Sequence, residues 1–322
     1  MRCIFCKQDS STSRSIEHVM PESIGNKRRV LPPGVVCDRC NNYFARKVEE
    51  PILAHPSMRN FRAWYQVPNK KGKFPSLQGH IGGTDIAVGL RRDRNGELQL
   101  EPERSRDSER LRAEIEGGFS SAILFKIEMN PPEREMSRFL CKMALETVAE
   151  TFSSRSGGTE IIVDEEFYDN ARVYARYGTN YSAWPYSQRR IFPEETLMRH
   201  PISKEWVHAG FGCDWFMNKR RETLFAFCFY GTEFVINVGG PSIRGYEEWL
   251  EDHEGISPIV ERLGCRLVVE GEGLSQSHYL HGEFDARKGL EFDRAHGYLP
   301  SAPNPYEAPG CQGVEVSQRG RG

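Results

Sequence analysis

The sequence predicts an α+β protein, with a small metal-stapled unit at the N-terminus followed by a larger mixed α/β domain. Three observations predict it. Four of the nine cysteines fall in two close pairs, Cys3-x-x-Cys6 and Cys37-x-x-Cys40. Met136, Phe139, Leu140, Met143, Ala144 and Val148 recur at helical spacing, as one buried helix face requires. Two apolar runs, Thr223–Tyr230 and Glu233–Val238, read as buried strands joined at Gly231-Thr232.

Length and composition bound the reading. A chain of 322 residues has room for two domains, since domains usually run about 100–200 residues. No run approaches the roughly 18–20 apolar residues of a membrane span. The opening Met1-Arg2-Cys3-Ile4-Phe5-Cys6 lacks the apolar core of a signal peptide, so the expected compartment is cytoplasmic. An odd cysteine count without a secretion signal argues against a disulfide framework. Cys141, Cys213, Cys228, Cys265 and Cys311 are scattered and read as small buried hydrophobes. The overall charge of −2 is asymmetric: residues 1–75 carry 14 Lys and Arg against 6 Asp and Glu, a net of +8, which leaves −10 for the rest. A basic N-terminal part on an acidic body points to a polyanion met by the N-terminal part.

Along the chain, residues 1–55 form the cysteine-bounded unit. Residues 56–80 read as a basic connector in which Lys70, Lys71 and Lys73, with Trp64 and Tyr65 nearby, suit backbone contact and base stacking. Residues 81–300 read as an α+β domain of unassigned role. Within it Asp85–Leu90 and Glu97–Leu100 flank Arg94-Asn95-Gly96, a hairpin signal. Residues 101–116 are charge-dense and read as a loop or surface helix, residues 134–152 as the main helix, and Arg266–Glu270 as a short strand. His278-x-x-His281-x-Glu283-x-Asp285 has metal-ligand spacing but reads more readily as a polar surface segment, and residues 301–322 as a disordered tail.

The chemistry sits in the first fifty residues. Two residues between paired thiolates let both sulfurs reach one ion, and two such pairs complete a closed four-cysteine zinc site, which is structural because no position remains for water. Thirty residues separate Cys6 from Cys37, longer than a simple zinc ribbon needs, and they hold Glu17-His18. On a short strand the two side chains diverge, so one can bind a divalent metal while the other faces a water. Asn41 follows the last cysteine near a helix start, with Asp38 as a plausible N-cap and the helix running through Tyr43, Phe44 and Val48 to stop near Pro51. Histidine suits a base near neutral pH, and a carboxylate with an amide oxygen suits a hard cation.

Residues 3–50, with the two Cys-x-x-Cys pairs, the Glu17-His18-x-x-Pro21-x-Ser23-x-Gly25 segment and the Cys40-Asn41 junction, resemble the HNH endonuclease family in its zinc-stapled ββα-metal branch. The resemblance implies a structural Zn²⁺ on Cys3, Cys6, Cys37 and Cys40, and a catalytic Mg²⁺ or Mn²⁺ on Glu17 and Asn41. It implies His18 as general base, with Glu17, His18 and Asn41 as the catalytic set. Two positions depart from the family pattern. The asparagine expected about five residues before the third cysteine is replaced by Val30-Leu31-Pro32-Pro33-Gly34, with Asn26 as a candidate substitute, and Phe44 stands where many members carry Lys or His. Arg28, Arg29, Arg39, Arg46 and Lys47 are candidate phosphate contacts. The expected function is hydrolysis of DNA phosphodiester bonds, with the acidic C-terminal domain selecting substrate or binding a protein partner. Mobile-element or anti-phage roles in bacteria are a family-level association. The alternatives are a non-catalytic zinc-ribbon nucleic-acid-binding protein, which has no use for Glu17-His18, and an RNA-directed nuclease.

Overall fold

The computed structural model describes residues 1–92, 97–118, 120–155, 158–191 and 211–262. It also describes the strands at 197–199, 206–208, 275–285, 289–293 and 316–317. The chain begins with β1 (Glu17–His18), β2 (Val30–Leu31) and α1 (Asp38–Phe44), which continues through a π-helical turn at Ala45–Glu49 into α2 (Glu50–Ala54). Next come α3 (Pro56–Trp64), β3 (Leu77–Ile81), β4 (Ala87–Arg92), β5 (Leu98–Pro102), α4 (Ser108–Glu116) and β6 (Ser120–Glu128). The long α5 (Glu133–Ser153) leads to α6 (Glu160–Asp164), α7 (Asp169–Tyr177), β7 (Tyr186–Arg190), β8 (Leu197–Arg199) and β9 (Trp206–His208). Then follow β10 (Phe211–Met217), β11 (Thr223–Phe229), β12 (Thr232–Asn237), α8 (Arg244–Asp252) and α9 (Pro258–Arg262). The remaining strands are β13 (Ser275–Asp285), β14 (Gly289–Asp293) and β15 (Val316–Ser317).

Packing divides these elements differently from their order in sequence. One unit comprises residues 1–52, 132–272 and 303–322, the other residues 53–131 and 273–302. The N-terminal module is therefore not a bead preceding a body. It packs with helices and strands from more than eighty residues further on, because a unit of about fifty residues buries too little apolar surface alone.

In the first unit an antiparallel sheet runs in the order β10-β11-β12-β7. Tyr230 (φ 45°) and Gly231 (φ 83°) turn β11 into β12 with the two positive φ values of a type I′ hairpin, one residue earlier than the sequence suggested. Helix α5 lies against β2, β10, β12 and α7. Its expected stripe (Met136, Phe139, Leu140, Met143, Ala144 and Val148) is wholly buried.

In the second unit a six-stranded antiparallel sheet runs β14-β13-β6-β3-β4-β5. The segment expected as a connector, 56–80, supplies α3 and β3 instead. Asn60 locks α3 onto the sheet, its Nδ2 donating to Gln78 O and Lys126 O (both 3.0 Å) and its Oδ1 accepting Gln78 N at 2.9 Å. Trp64 and Tyr65 are buried, so neither ring offers a stacking surface beside the lysines of 70–73. Strands β4 and β5 pair antiparallel as the hairpin signal required, with the turn itself outside the described residues. The stretch 101–116, expected as a loop or surface helix, closes β5 and then forms the charged helix α4, held by buried Leu111. The proposed strand at 266–270, the side chains of the His278–Asp285 segment and most of 301–322 lie outside the described residues.

Candidate functional site

The site is built on two Cys turns. Cys3 N donates to Gln8 O and Lys7 N to Cys3 O, both at 2.9 Å, and Lys7 takes φ 59° to close the first turn. In the second, Cys37 is the residue that caps α1: its Sγ accepts Cys40 N at 3.4 Å. Asp38, expected as the cap, is instead the first helical residue. Its carboxylate reaches back to accept Arg14 N (3.1 Å), Ser15 N (2.8 Å) and Ser15 Oγ (2.6 Å), fixing the approach to β1. Cys37 N donates to Cys3 Sγ at 3.3 Å, which joins the two turns.

The four thiols converge within 4.8 Å of one another, and Cys6 Sγ lies 3.7 Å from Cys37 Sγ. Thiolates about 2.3 Å from zinc in a tetrahedron stand about 3.8 Å apart, so the donor set fits that ion. All four cysteines are free of disulfides. The Cys40 hydrogen bond, with backbone N–H groups, draws the Cys3 thiol below its ordinary value against the opposing effect of burial. Purified protein is expected to carry one zinc per chain by elemental analysis, and Cys37→Ser to lose it and the ordered module together. Zinc-free, fully folded wild-type protein would refute this.

Helix α1 does not end at Pro51. A proline ring clashes with the carbonyl four residues back and leaves it without a donor. Here the π turn displaces that contact, Glu50 N bonding Ala45 O, while Arg138 Nη1 approaches the freed Lys47 carbonyl at 3.5 Å. The position expected to carry Lys or His holds Phe44, fully buried against Phe5 with ring centroids 4.3 Å apart. That position faces the module's core, where an apolar ring belongs.

Strand β1 carries Glu17 opposite Leu31 and His18 opposite Val30 on β2. Asn41 Nδ2 donates to Ile16 O at 3.2 Å, so the helix that follows the second cysteine turn is tied to the residue just before Glu17. His18 is half-buried, and its Nδ1 is enclosed with no hydrogen-bond partner among the described residues. Asn26 is buried, and both ends of its amide are used. Nδ2 donates to Met20 O and Arg29 O at 2.8 Å each, and Oδ1 accepts Arg28 N at 3.2 Å and Arg29 N at 2.9 Å. One amide thereby holds the loop between β1 and β2.

Glu17 has neighbours that the sequence did not announce. Its Oε1 lies 2.7 Å from Lys142 Nζ, and that ammonium also meets Glu49 and Glu146, each at 2.8 Å. Lys142 and Glu146 are completely buried on α5, one turn apart. Burial alone would lower the Lys142 ammonium, but the three carboxylates outweigh it and hold it up, while burial pushes Glu17 and Glu146 up. The available signal was a Lys and a Glu four residues apart, the only charged residues in the stretch 139–149 of that helix.

The basic residues divide. Arg29 is half-buried and engaged by the protein's own groups, donating to Glu150 Oε2 through Nε at 3.0 Å and to the Cys213 carbonyl and Sγ through Nη1 at 3.2 and 2.8 Å. Its expected role as a phosphate contact is withdrawn, since a guanidinium saturated by a carboxylate has few donors left. Arg28, Arg39, Arg46 and Lys47 are exposed. Arg39, Arg46 and Lys47 have no ion pair among the described residues, and Arg39, Asn42 and Arg46 are successively exposed along one helical stretch.

Residues 3–57 match the sequence model of a family described as HNH endonuclease. The chain thus has an N-terminal HNH domain with a cysteine cluster, followed by a larger mixed α/β part. That domain points to nuclease activity and to nucleic-acid binding. No curated protein and no solved structure matches the chain at a significant level. No helix among the described residues is long and apolar enough to cross a membrane.

Proposed function

We propose that the protein is a divalent-metal-dependent endonuclease acting on DNA, with His18 taking the proton from an attacking water. The observation that carries the reading is the Asn41–Ile16 hydrogen bond, which ties the zinc-turn helix to the strand holding Glu17 and His18 inside a segment that matches HNH endonucleases. Glu17 keeps Oε2 and Asn41 keeps Oδ1 outside the described hydrogen bonds, a carboxylate and an amide oxygen of the hard type that Mg²⁺ and Mn²⁺ prefer. Held by these two residues, the cation would supply positive charge toward the phosphate and leaving oxygen. The zinc turn stays closed and serves as scaffold. The net acidic remainder of the chain is assigned to substrate selection or a protein partner.

The test is incubation of the purified chain with supercoiled plasmid and Mg²⁺ or Mn²⁺, against EDTA, with single-stranded RNA in parallel. Nicked and linear DNA only with divalent metal is the expected result. RNA cleavage alone would replace DNA by RNA, and binding without cleavage would favour the zinc-ribbon alternative.

Substrate contact is expected through Arg39, Arg46 and Lys47. Neutralising all three should weaken binding to unrelated duplexes by similar factors and flatten the slope of log K against log salt by up to about 2.7, from roughly 0.9 per lost phosphate contact. Fluorescence anisotropy at several salt concentrations measures this. An unchanged slope would return the three residues to a solvated face.

A further inference from the structure

Arg176 on α7 is a buried cation without a carboxylate. Its side chain is 5% exposed, and no ion pair to Asp or Glu is found for it among the described residues. Its Nη1 lies 3.0 Å from Cys40 Sγ, and its guanidinium lies over the ring of Tyr43 at 4.8 Å and that of Tyr177 at 5.4 Å. Its Nε is enclosed and unpartnered. An enclosed guanidinium needs a counter-charge, because removing it from water without one is strongly unfavourable. The anion at hand is sulfur. A neutral thiol cannot supply that charge, but a thiolate can, and four thiolates on Zn²⁺ leave a net charge of −2 to be compensated.

The arrangement around Arg176 is braced. Arg138 Nη2 donates to the Arg176 carbonyl at 2.9 Å and to Tyr43 Oη at 3.2 Å. One α-helical turn before Arg176, the almost fully buried Arg172 donates through Nε to Ile4 O at 2.8 Å, inside the Cys3-x-x-Cys6 turn. Two arginines of one helix thus hold the two cysteine turns, one by a carbonyl and one by a sulfur.

We propose that Arg176 is a positioning and charge-compensating member of the zinc centre, donating an N–H···S hydrogen bond to the Cys40 thiolate, so that zinc retention depends on α7. This rests on zinc occupying the four cysteines and is independent of whether the protein cuts DNA. The hydrogen bond withdraws charge from the Cys40 sulfur and opposes its protonation and departure, while stacking on Tyr43 fixes the fork against α1. Loss of an outer partner of a metal ligand typically weakens metal binding by about 10–100-fold.

The experiment uses the full-length chain as wild type, Arg176→Gln, Arg176→Lys and Tyr246→Phe. The last removes a hydrogen bond to buried Glu233, remote in sequence from the four clustered cysteines, and controls for general destabilisation. Zinc affinity is read by competition with a chromophoric chelator, folding by circular dichroism, and the sulfur environment by the thiolate-to-metal band of the Co²⁺-substituted protein. Arg176→Gln should bind zinc about 10–100-fold more weakly and move the Co²⁺ band to lower energy, because the sulfur loses its hydrogen bond. Arg176→Lys, which keeps the charge and loses the planar fork, should fall between and keeps the test informative if the glutamine variant does not fold. Wild-type affinity and an unmoved band in either folded Arg176 variant would overturn the proposal, as would equal zinc loss in Tyr246→Phe. Wild-type protein without zinc would overturn it together with the zinc reading. Absent DNA cleavage with zinc intact would count only against the nuclease.

Discussion

Replacing His18 by alanine is expected to lower divalent-dependent cleavage by about 10²–10⁴-fold, the usual cost of losing a general base. The protein should otherwise stay intact. His18 is half-buried, no hydrogen bond holds its Nδ1, and it is not one of the four cysteines that fix the module. Zinc content and melting temperature should therefore match wild type, which separates chemistry from folding. The readout is the rate of plasmid nicking at saturating Mg²⁺, alongside elemental analysis and a thermal melt. Undiminished cleavage by a folded, zinc-loaded His18→Ala protein would move the base elsewhere.

Lys142→Met should have the largest effect on stability. The substitution keeps the length and apolar stem of the side chain but removes the one cation that Glu17, Glu49 and Glu146 share. Removing one partner of a buried ion pair costs about 3–5 kcal/mol because the remaining charge is stranded. Such a loss is a large fraction of the roughly 5–15 kcal/mol that holds a domain folded. Chemical denaturation of the full chain measures it. The double variant Lys142→Met, Glu146→Gln should recover part of the loss, since it removes a fully buried carboxylate together with its partner. If Lys142→Met unfolds at the wild-type denaturant concentration, the cluster is not the polar keystone of this unit. Because Glu17 belongs to it, cleavage by the surviving folded fraction should also fall.

The sequence by itself determined the local features. Two Cys-x-x-Cys pairs dictate a four-thiol cluster, because two intervening residues suffice to aim both sulfurs at one point. The apolar stripe of α5 and the two runs of the β11–β12 hairpin are local patterns; the stripe is buried as expected, and the hairpin turns one residue earlier. That Glu17-His18 and Asn41 share one module was legible because the cysteine turns, the strand and the helix are contiguous in sequence. Tertiary structure decided what meets them. Lys142 lies 125 residues from Glu17, and Arg176 lies 136 residues from Cys40. No spacing rule links positions so far apart, and nothing marks an arginine as the partner of a sulfur until the helix that carries it is packed. The same physics withdrew Arg29 from the candidate phosphate contacts and gave it to Glu150. A charge reads as solvated in sequence, and only packing shows whether a carboxylate waits for it. The module of about fifty residues is too small to enclose its own core and buried charges, so it borrows α5 and α7 for both.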